Sequence, residues 1–148
     1  MTQPAKYLID TNIISELRKK SKANPGVLQF FQQTAEQAAP LYLSVITIGE
    51  LRRGVELIRH RGDQQQADLL ENWLQTVLED YADHILDFTV VEAQVWGKLR
   101  VPHPQNALDK QIAATALTCG LTLITRNVND FAGTGVPTID PFETVDGF

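Results

Sequence analysis

Short apolar runs punctuate the chain at wide intervals, and between them apolar residues recur every three or four positions. Tyr7-Leu8-Ile9 is the first run. It stops abruptly at Asp10-Thr11-Asn12, and Ile13, Ile14 and Leu17 then take up helical spacing. This pattern predicts a short buried strand whose following side chains emerge at its C-terminal edge, where a helix begins. In open parallel sheets, ligands bind at that edge. Asn24 as cap and Pro25 at the first helical position open a second helix, with Val27, Leu28, Phe31 and Ala35 as its apolar face. Pro40 forces that helix to end by Ala39. Leu41-Tyr42-Leu43-Ser44 predicts a second strand, and Thr47 to about Arg59 a helix with Ile48, Leu51, Val55 and Ile58 inside. A long helix is expected over 64–81, with Leu70, Leu74, Val77, Leu78 and Tyr81 on one side.

Ile85-Leu86-Asp87-Phe88 predicts a third strand, followed by a helix through Val91, Val95 and Leu99. Pro102-His103-Pro104 is a rigid break. Asn106 is then placed to cap an alanine-dense helix from Ala107 to Thr118, which Gly120 ends. Residues 121–125 predict a fourth strand, 126–131 the loop at its C-terminal edge, and 136–139 a marginal fifth strand at the sheet edge, where proline is tolerable. Short strands alternating with helices predict an α/β fold of three layers, with a short, mainly parallel sheet of four to five strands flanked by helices. No repeat, linker or low-complexity tract interrupts residues 1–148, so a single domain is expected.

Composition adds limits. Apolar content of 43% and charged content of 21% fit a folded chain, and no apolar run approaches the roughly 20 residues that span a bilayer. Met1 to Lys6 leads straight into the first strand, so no separate signal peptide is expected, and with Cys119 as the only cysteine there is no internal disulfide and no cysteine-rich zinc site. A cytoplasmic setting is the expectation. The formal charge of −5 is uneven: residues 1–61 carry +4 and residues 62–148 carry −9. An acidic chain still binds a polyanion where a basic rim and metal ions offset carboxylates, so the net charge does not fix the substrate.

The candidate chemistry lies in four acids. Asp10 follows strand one, Glu50 lies early in the helix after strand two, Asp109 in the first turn of the alanine-dense helix, and Asp130 in the loop after strand four. Carboxylates gathered at one rim repel unless a cation lies between them, and an all-oxygen set selects a hard ion, Mg²⁺ or Mn²⁺. Such a centre suits phosphodiester hydrolysis and needs no serine, histidine or cysteine nucleophile. Each acid also has a plainer reading. Glu50 closes a capping box with Thr47, Asp109 favours a helix dipole, Asp130 fits an Asx turn and Asp10 caps the helix after it. A caps-only reading leaves unexplained why a buried strand ends in Asp-Thr-Asn.

Four blocks in this order resemble PIN-domain proteins, specifically the toxin ribonucleases of VapBC-type toxin–antitoxin pairs in the FitB-like subgroup. They are Leu8 to Glu16, Leu43 to Gly54, Asp109 to Ala116 and Leu123 to Phe131. The resemblance covers essentially the whole chain. It implies that Asp10, Glu50 and Asp109 are the core acids, that Asp130 is a fourth, more peripheral one, and that Thr11 orients the first Asp and its bound water. Asn127 falls where some relatives carry an acid, which leaves the fourth metal contact open between Asp130 and Asn127. Lys110-Gln111 departs from the smaller or apolar residues often found after the third acid, so the local rim differs. The resemblance further implies a Mg²⁺- or Mn²⁺-dependent endoribonuclease leaving 5′-phosphate and 3′-hydroxyl ends, a VapB-like antitoxin as partner, a toxin homodimer, and operator DNA bound only through the antitoxin complex.

Around these acids, Arg18, Lys19, Lys20 and Lys22 either line an RNA approach or form an ordinary solvated helix end. Of Arg52 and Arg53, one is placed to meet a substrate phosphate or an antitoxin acid while the other suits a surface ion pair, and Arg126 stands just beyond strand four, near the acids. Trp73 and Trp96 fit core or dimer packing better than base stacking, and the long helix is a candidate dimer surface. His60 is expected to be exposed, His103 is expected to serve the loop rather than catalysis, and Cys119 to be a buried small residue. Two competing functions use the same acids: a structure-specific DNase, for which the chain offers no evident clamp, and a degenerate PIN domain that only binds RNA or protein.

Overall fold

The computed structural model describes residues 5–143; Met1 to Pro4 and the last five residues lie outside the described part, including most of the N-terminal stretch read above for a leader. Five strands form one sheet in the order β3-β2-β1-β4-β5, and every neighbouring pair is parallel. They are β1 (Tyr7–Ile9), β2 (Leu41–Ser44), β3 (Ile85–Leu86), β4 (Thr122–Ile124) and β5 (Thr138–Ile139). α1 (Thr11–Glu16) and α2 (Pro25–Glu36) connect β1 to β2, α3 (Val45–His60) and α4 (Gln64–Asp80) connect β2 to β3, and α5 (Val90–Arg100) and α6 (Ala107–Cys119) connect β3 to β4. The chain builds outward from β1 through β2 to β3, then returns to place β4 on the other side of β1. The reversal leaves a crevice beyond the ends of β1 and β4, the place where doubly wound sheets bind ligands.

The core lies on both sides of the sheet. Ile9, Ile13, Ile14, Val27, Leu43, Leu51, Val55, Leu70, Leu74 and Val77 form one cluster, and Leu8, Ile112, Ala113, Ala116, Leu123 and Phe131 form another. Successive residues of β1 therefore serve opposite clusters, Leu8 one and Ile9 the other, as the two-residue period of a strand requires. The α3–α4 pair is strapped on its outer side, where Arg52 donates two 2.7 Å hydrogen bonds to Glu71 and Arg59 also pairs with Glu71 and with Glu56. Among the described residues no helix is long and apolar enough to cross a membrane.

Several local expectations change. Ser44 rather than Thr47 caps α3, its hydroxyl accepting from the Ile46 amide, so the helix starts two residues earlier and Glu50 lies in its second turn. Thr47 is thereby freed from capping and is fully buried. Asn106 precedes α6 in a left-handed conformation and makes no side-chain cap bond. Thr89 and Glu92 form an unforeseen capping box on α5, which buries Glu92 and leaves Val91 exposed. Near the end of α2 Thr34 is buried, its hydroxyl donating to the Phe31 carbonyl, while the expected apolar-face residue Ala35 is exposed. Cys119 is exposed at the end of α6, contrary to its expected burial. Leu70, Leu74 and Leu78 turn into the core, so the long helix does not present them as a dimer surface. Trp96 packs, donating its indole N–H to the Ala107 carbonyl at 3.1 Å.

Helix α6 tolerates little change, because Ile112, Ala113, Ala114, Thr115 and Ala116 are all buried. Ala113 is 0% exposed. Ala113→Leu is expected to destabilise the fold by about 1–3 kcal/mol through overpacking, read as a lower urea midpoint at unchanged slope.

Candidate active site

Asp10 sits between β1 and α1, and its position is over-determined. Its amide donates to the Ile124 carbonyl at 2.9 Å, continuing the β1–β4 pairing one residue past the strand. Its side chain is 4% exposed. One carboxylate oxygen accepts from the Thr11 amide at 2.8 Å and the other from the Thr125 hydroxyl at 2.7 Å. Asp10 is therefore both the cap of α1 and a carboxylate aimed at the crevice; the two readings do not exclude each other.

Thr125 joins strand, loop and acid. Its hydroxyl has one proton, given to Asp10, and its oxygen accepts from the Asn127 amide at 3.1 Å and the Asn12 side-chain nitrogen at 3.4 Å. Asn12 in turn accepts from the Arg126 amide at 3.1 Å. Neither Thr125 nor Asn12 was singled out from sequence as a site residue, although both stand at the strand edges where the crevice opens.

On the other flank, Thr11 donates its hydroxyl proton to Glu50 at 2.7 Å, and the Thr47 oxygen lies 3.1 Å from that hydroxyl. A single proton cannot serve both, so Thr47 is the donor to Thr11. The buried Thr47 hydroxyl thus orients Thr11, and Thr11 orients Glu50. Thr11 thus holds Asp10 by its amide and Glu50 by its hydroxyl.

Electrostatics tie the acids together. Burial pushes the Asp10 carboxyl up to about 6; the hydrogen bonds from Thr125 and Thr11 oppose this, and the charges of Asp109 and Glu50 add to it. Asp109 in the first turn of α6 is also raised, first by burial and then by Asp130 and Glu50. Asp130 lies in the 3-10 turn Val128–Phe131 after β4. Asp10, Glu50 and Asp109 thus lie within one another's fields, and Asp130 joins them through Asp109. Among the described residues no group of three His, Cys, Asp or Glu side chains stands close enough to grip an ion as it is.

The rim residues divide. Arg18 lines a groove that starts at Thr11 and Glu50 and runs along α3 and α4 to Trp73, and its guanidinium lies 5.9 Å from the Trp73 ring centre. Arg53 shares a second groove with Glu50, Val45, Ile46, Gly49 and Leu108. Arg126 is exposed and stacks on Phe142 at 4.5 Å. Lys19 pairs with Glu16 at 2.9 Å and Arg52 is engaged by Glu71, so these two do not point freely at the acids. Asn127 is exposed and contributes its amide to Thr125. His103 lies 3.3 Å from the Gly133 carbonyl, and His60 is exposed as expected.

Comparison with known proteins places this fold, with acids at the reversal point of a parallel sheet, in a family. The PIN domain model matches residues 7–135, and the chain belongs to the PIN-domain family, related to the VapC/FitB-type toxins of VapBC toxin–antitoxin systems. It is 32% identical over 140 residues to Toxin FitB of Neisseria gonorrhoeae, covering 91% of this chain and 97% of that one. It is 30% identical over 142 residues to VapC ribonuclease Y4jK of Sinorhizobium fredii, covering 92% and 97%. The crystal structure of FitAcB from Neisseria gonorrhoeae superposes with a TM-score of 0.79 at 31% identity, over 93% of this chain and 99% of that chain. A structure of FitAB bound to an IR36 DNA fragment gives 0.78 at 27% identity, over 96% and 99%.

The raised Asp10 carboxyl sets a pH dependence. Folded Asp10 keeps its proton to about pH 6 and an unfolded one only to 3.8, so in this window the folded state binds more protons and stability falls as pH rises. The full effect is roughly 3 kcal/mol, present below the lower value and lost above the upper one. Asp10→Asn is expected to flatten that slope in urea titrations from pH 4 to pH 8 without divalent ions, leaving a residual slope of the same sign from Asp109.

Proposed function

We propose that this chain is the toxin of a type II toxin–antitoxin pair and acts as a Mg²⁺- or Mn²⁺-dependent endoribonuclease. The observation that carries this reading is the meeting of Asp10, Glu50, Asp109 and Asp130 at the sheet's reversal point in a chain of the PIN family. The donor set fits a hard divalent ion. It is all oxygen, its central carboxylate is held by hydrogen bonds on both oxygens, and its members repel one another in the absence of a cation.

Asp10, Glu50 and Asp109 would hold the ion, directly or through water, with Asp130 at the periphery and Asn127 beside it. A bound divalent ion supplies Lewis-acid activation of water and charge neutralisation at phosphate. The reaction is hydrolysis: water oxygen bonds to phosphorus, the bond from phosphorus to the 3′ oxygen breaks, and the 3′ oxygen takes up a proton. One fragment ends in 3′-hydroxyl and the next begins with 5′-phosphate. Thr125 keeps the buried Asp10 oriented, and the Thr47–Thr11 pair does the same for Glu50. Arg18, Arg53 and Arg126 are the cations placed to meet the RNA backbone or the antitoxin's acids.

A VapB-like antitoxin is the inferred partner, supported by likeness to Toxin FitB and to the FitAB complex, and operator DNA would be met only through that complex, in the cytoplasm. A homodimer is inferred as well. Val90, Val91 and Leu108 are 73%, 58% and 49% exposed, large apolar side chains that a second copy would cover. Leu108→Arg is expected to convert a dimer to a monomer in light scattering; a monomeric parent would overturn this part of the reading.

The deciding experiment treats total cellular RNA with antitoxin-free protein in Mn²⁺, Mg²⁺ or excess EDTA, beside the Asp10→Asn variant, and sequences the ends. Discrete cuts are expected only with divalent ions and only from the parent. Parent-rate cleavage by Asp10→Asn, with contaminating nuclease excluded, would sink the assignment. No cleavage in any lane, with cellular toxicity unchanged by Asp10→Asn, would instead identify a binding module.

A further inference from the structure

Lys110 is the residue of this chain whose placement the acids alone do not explain. It follows Asp109 in α6 and is 3% exposed. Its ammonium donates to the Asp130 backbone carbonyl at 2.7 Å. Among the described residues no carboxylate lies within ion-pair distance of it. The location is doubly unfavourable in isolation: a buried ammonium loses its hydration, and a helix N-terminus is the positive end of the dipole. An apolar side chain of the same length would fill the space at lower cost. The ammonium adds a polar tie, at Asp130 itself, to a turn whose last residue, Phe131, packs against Ile112, Ala113 and Ala116 of α6. The Asp109 carboxyl is raised first by burial and then by the charge of Asp130, and Lys110 ties the residue next to one to the backbone of the other.

The tether closes a longer circuit. The Asp130 amide donates to the Asn127 carbonyl at 3.0 Å, the Asn127 amide donates to the Thr125 hydroxyl, and Thr125 donates to Asp10. The loop after β4 is therefore fixed to β1 at its start and to α6 at its end. We propose that Lys110 is a positioning residue: it pins the Val128–Phe131 turn against α6, so that the Asp130 carboxylate is held within reach of the ion that Asp109 and Asp10 bind. This rests on the metal-centre reading above and adds a residue with no contact to ion or substrate.

Two simple physical effects predict opposite signs, which makes the inference testable without RNA. If Lys110 mattered only as a positive charge among acids, Lys110→Met would tighten Mn²⁺ binding. If it positions Asp130, the same change weakens binding, by about tenfold on the scale of partners that orient metal ligands. Mn²⁺ affinity, measured by electron paramagnetic resonance titration on the parent, Lys110→Met, Asp130→Asn and the double variant, separates the cases. The expected result is weaker binding in Lys110→Met, no further loss when it is added to Asp130→Asn, and faster hydrogen exchange at the Asp130 amide. Lys110→Arg, which keeps donor and charge, is expected to recover most of the affinity, and Lys110→Gln carries the same test should the Met variant not fold. Unchanged or tighter binding in Lys110→Met would overturn the inference, as would an equal loss in both backgrounds. A parent that binds no Mn²⁺ would overturn the metal-centre reading and this inference with it, so the two failures are told apart by the parent alone.

Discussion

Burying one carboxylate at the end of the central strand is the constraint on which the rest of the molecule depends. A charge removed from water must be met by hydrogen bonds or give up its ionisation. Asp10 does part of each: the Thr11 amide and the Thr125 hydroxyl satisfy both oxygens, yet the group still holds its proton to about pH 6. For Thr125 to be there, β4 must pair with β1 in register, Leu8 beside Leu123 and Ile9 beside Ile124. A slip of one residue would turn Leu8 and Ile9 to the wrong clusters and remove the hydroxyl from the acid. Packing and chemistry thus specify the same alignment.

The remaining acids are positioned by different devices. Glu50 lies on α3 and is oriented through two threonine hydroxyls, one of them fully buried. Asp109 is presented by a helix whose small side chains fit closely under the sheet, and Asp130 by a short turn held from both ends. None of these supports uses a histidine or a disulfide. The site is built from hydroxyls, amides and one ammonium around carboxylates, a set with little capacity to do chemistry alone and a strong bias toward binding a cation.

Legibility in the sequence followed physical range. The change from Tyr7-Leu8-Ile9 to Asp10-Thr11-Asn12 was readable because strand burial and strand end are local, and so were the helical spacings of α3, α4 and α6. Glu50 and Asp109 stand out as candidates because each follows a strand or opens a helix, and the ordered blocks point to the family. Thr125 escaped notice because its meaning lies in Asp10, 115 residues away. Lys110 looked like a departure at the rim, and only the fold shows it buried. The capping errors share one cause: Ser44 and Thr47 are both good caps, and the choice depends on where β2 stops pairing with β3, at Ser44 beside Leu86. Cys119 was placed inside by its usual preference for burial, but a last helical turn before the left-handed Gly120 points outward.

The order of the strands also governs when the acid rim can assemble. β1 is made first, yet its neighbour β4 and the hydroxyl of Thr125 leave the ribosome after most of the chain, and Lys110 has nothing to hold until the turn ending at Phe131 has followed. A nascent or truncated chain has Asp10, Glu50 and Asp109 in sequence but not in space. The acid rim assembles only once the chain up to Phe131 is available to fold. That dependence is a property of topology: residues distant in sequence complete what the first strand begins.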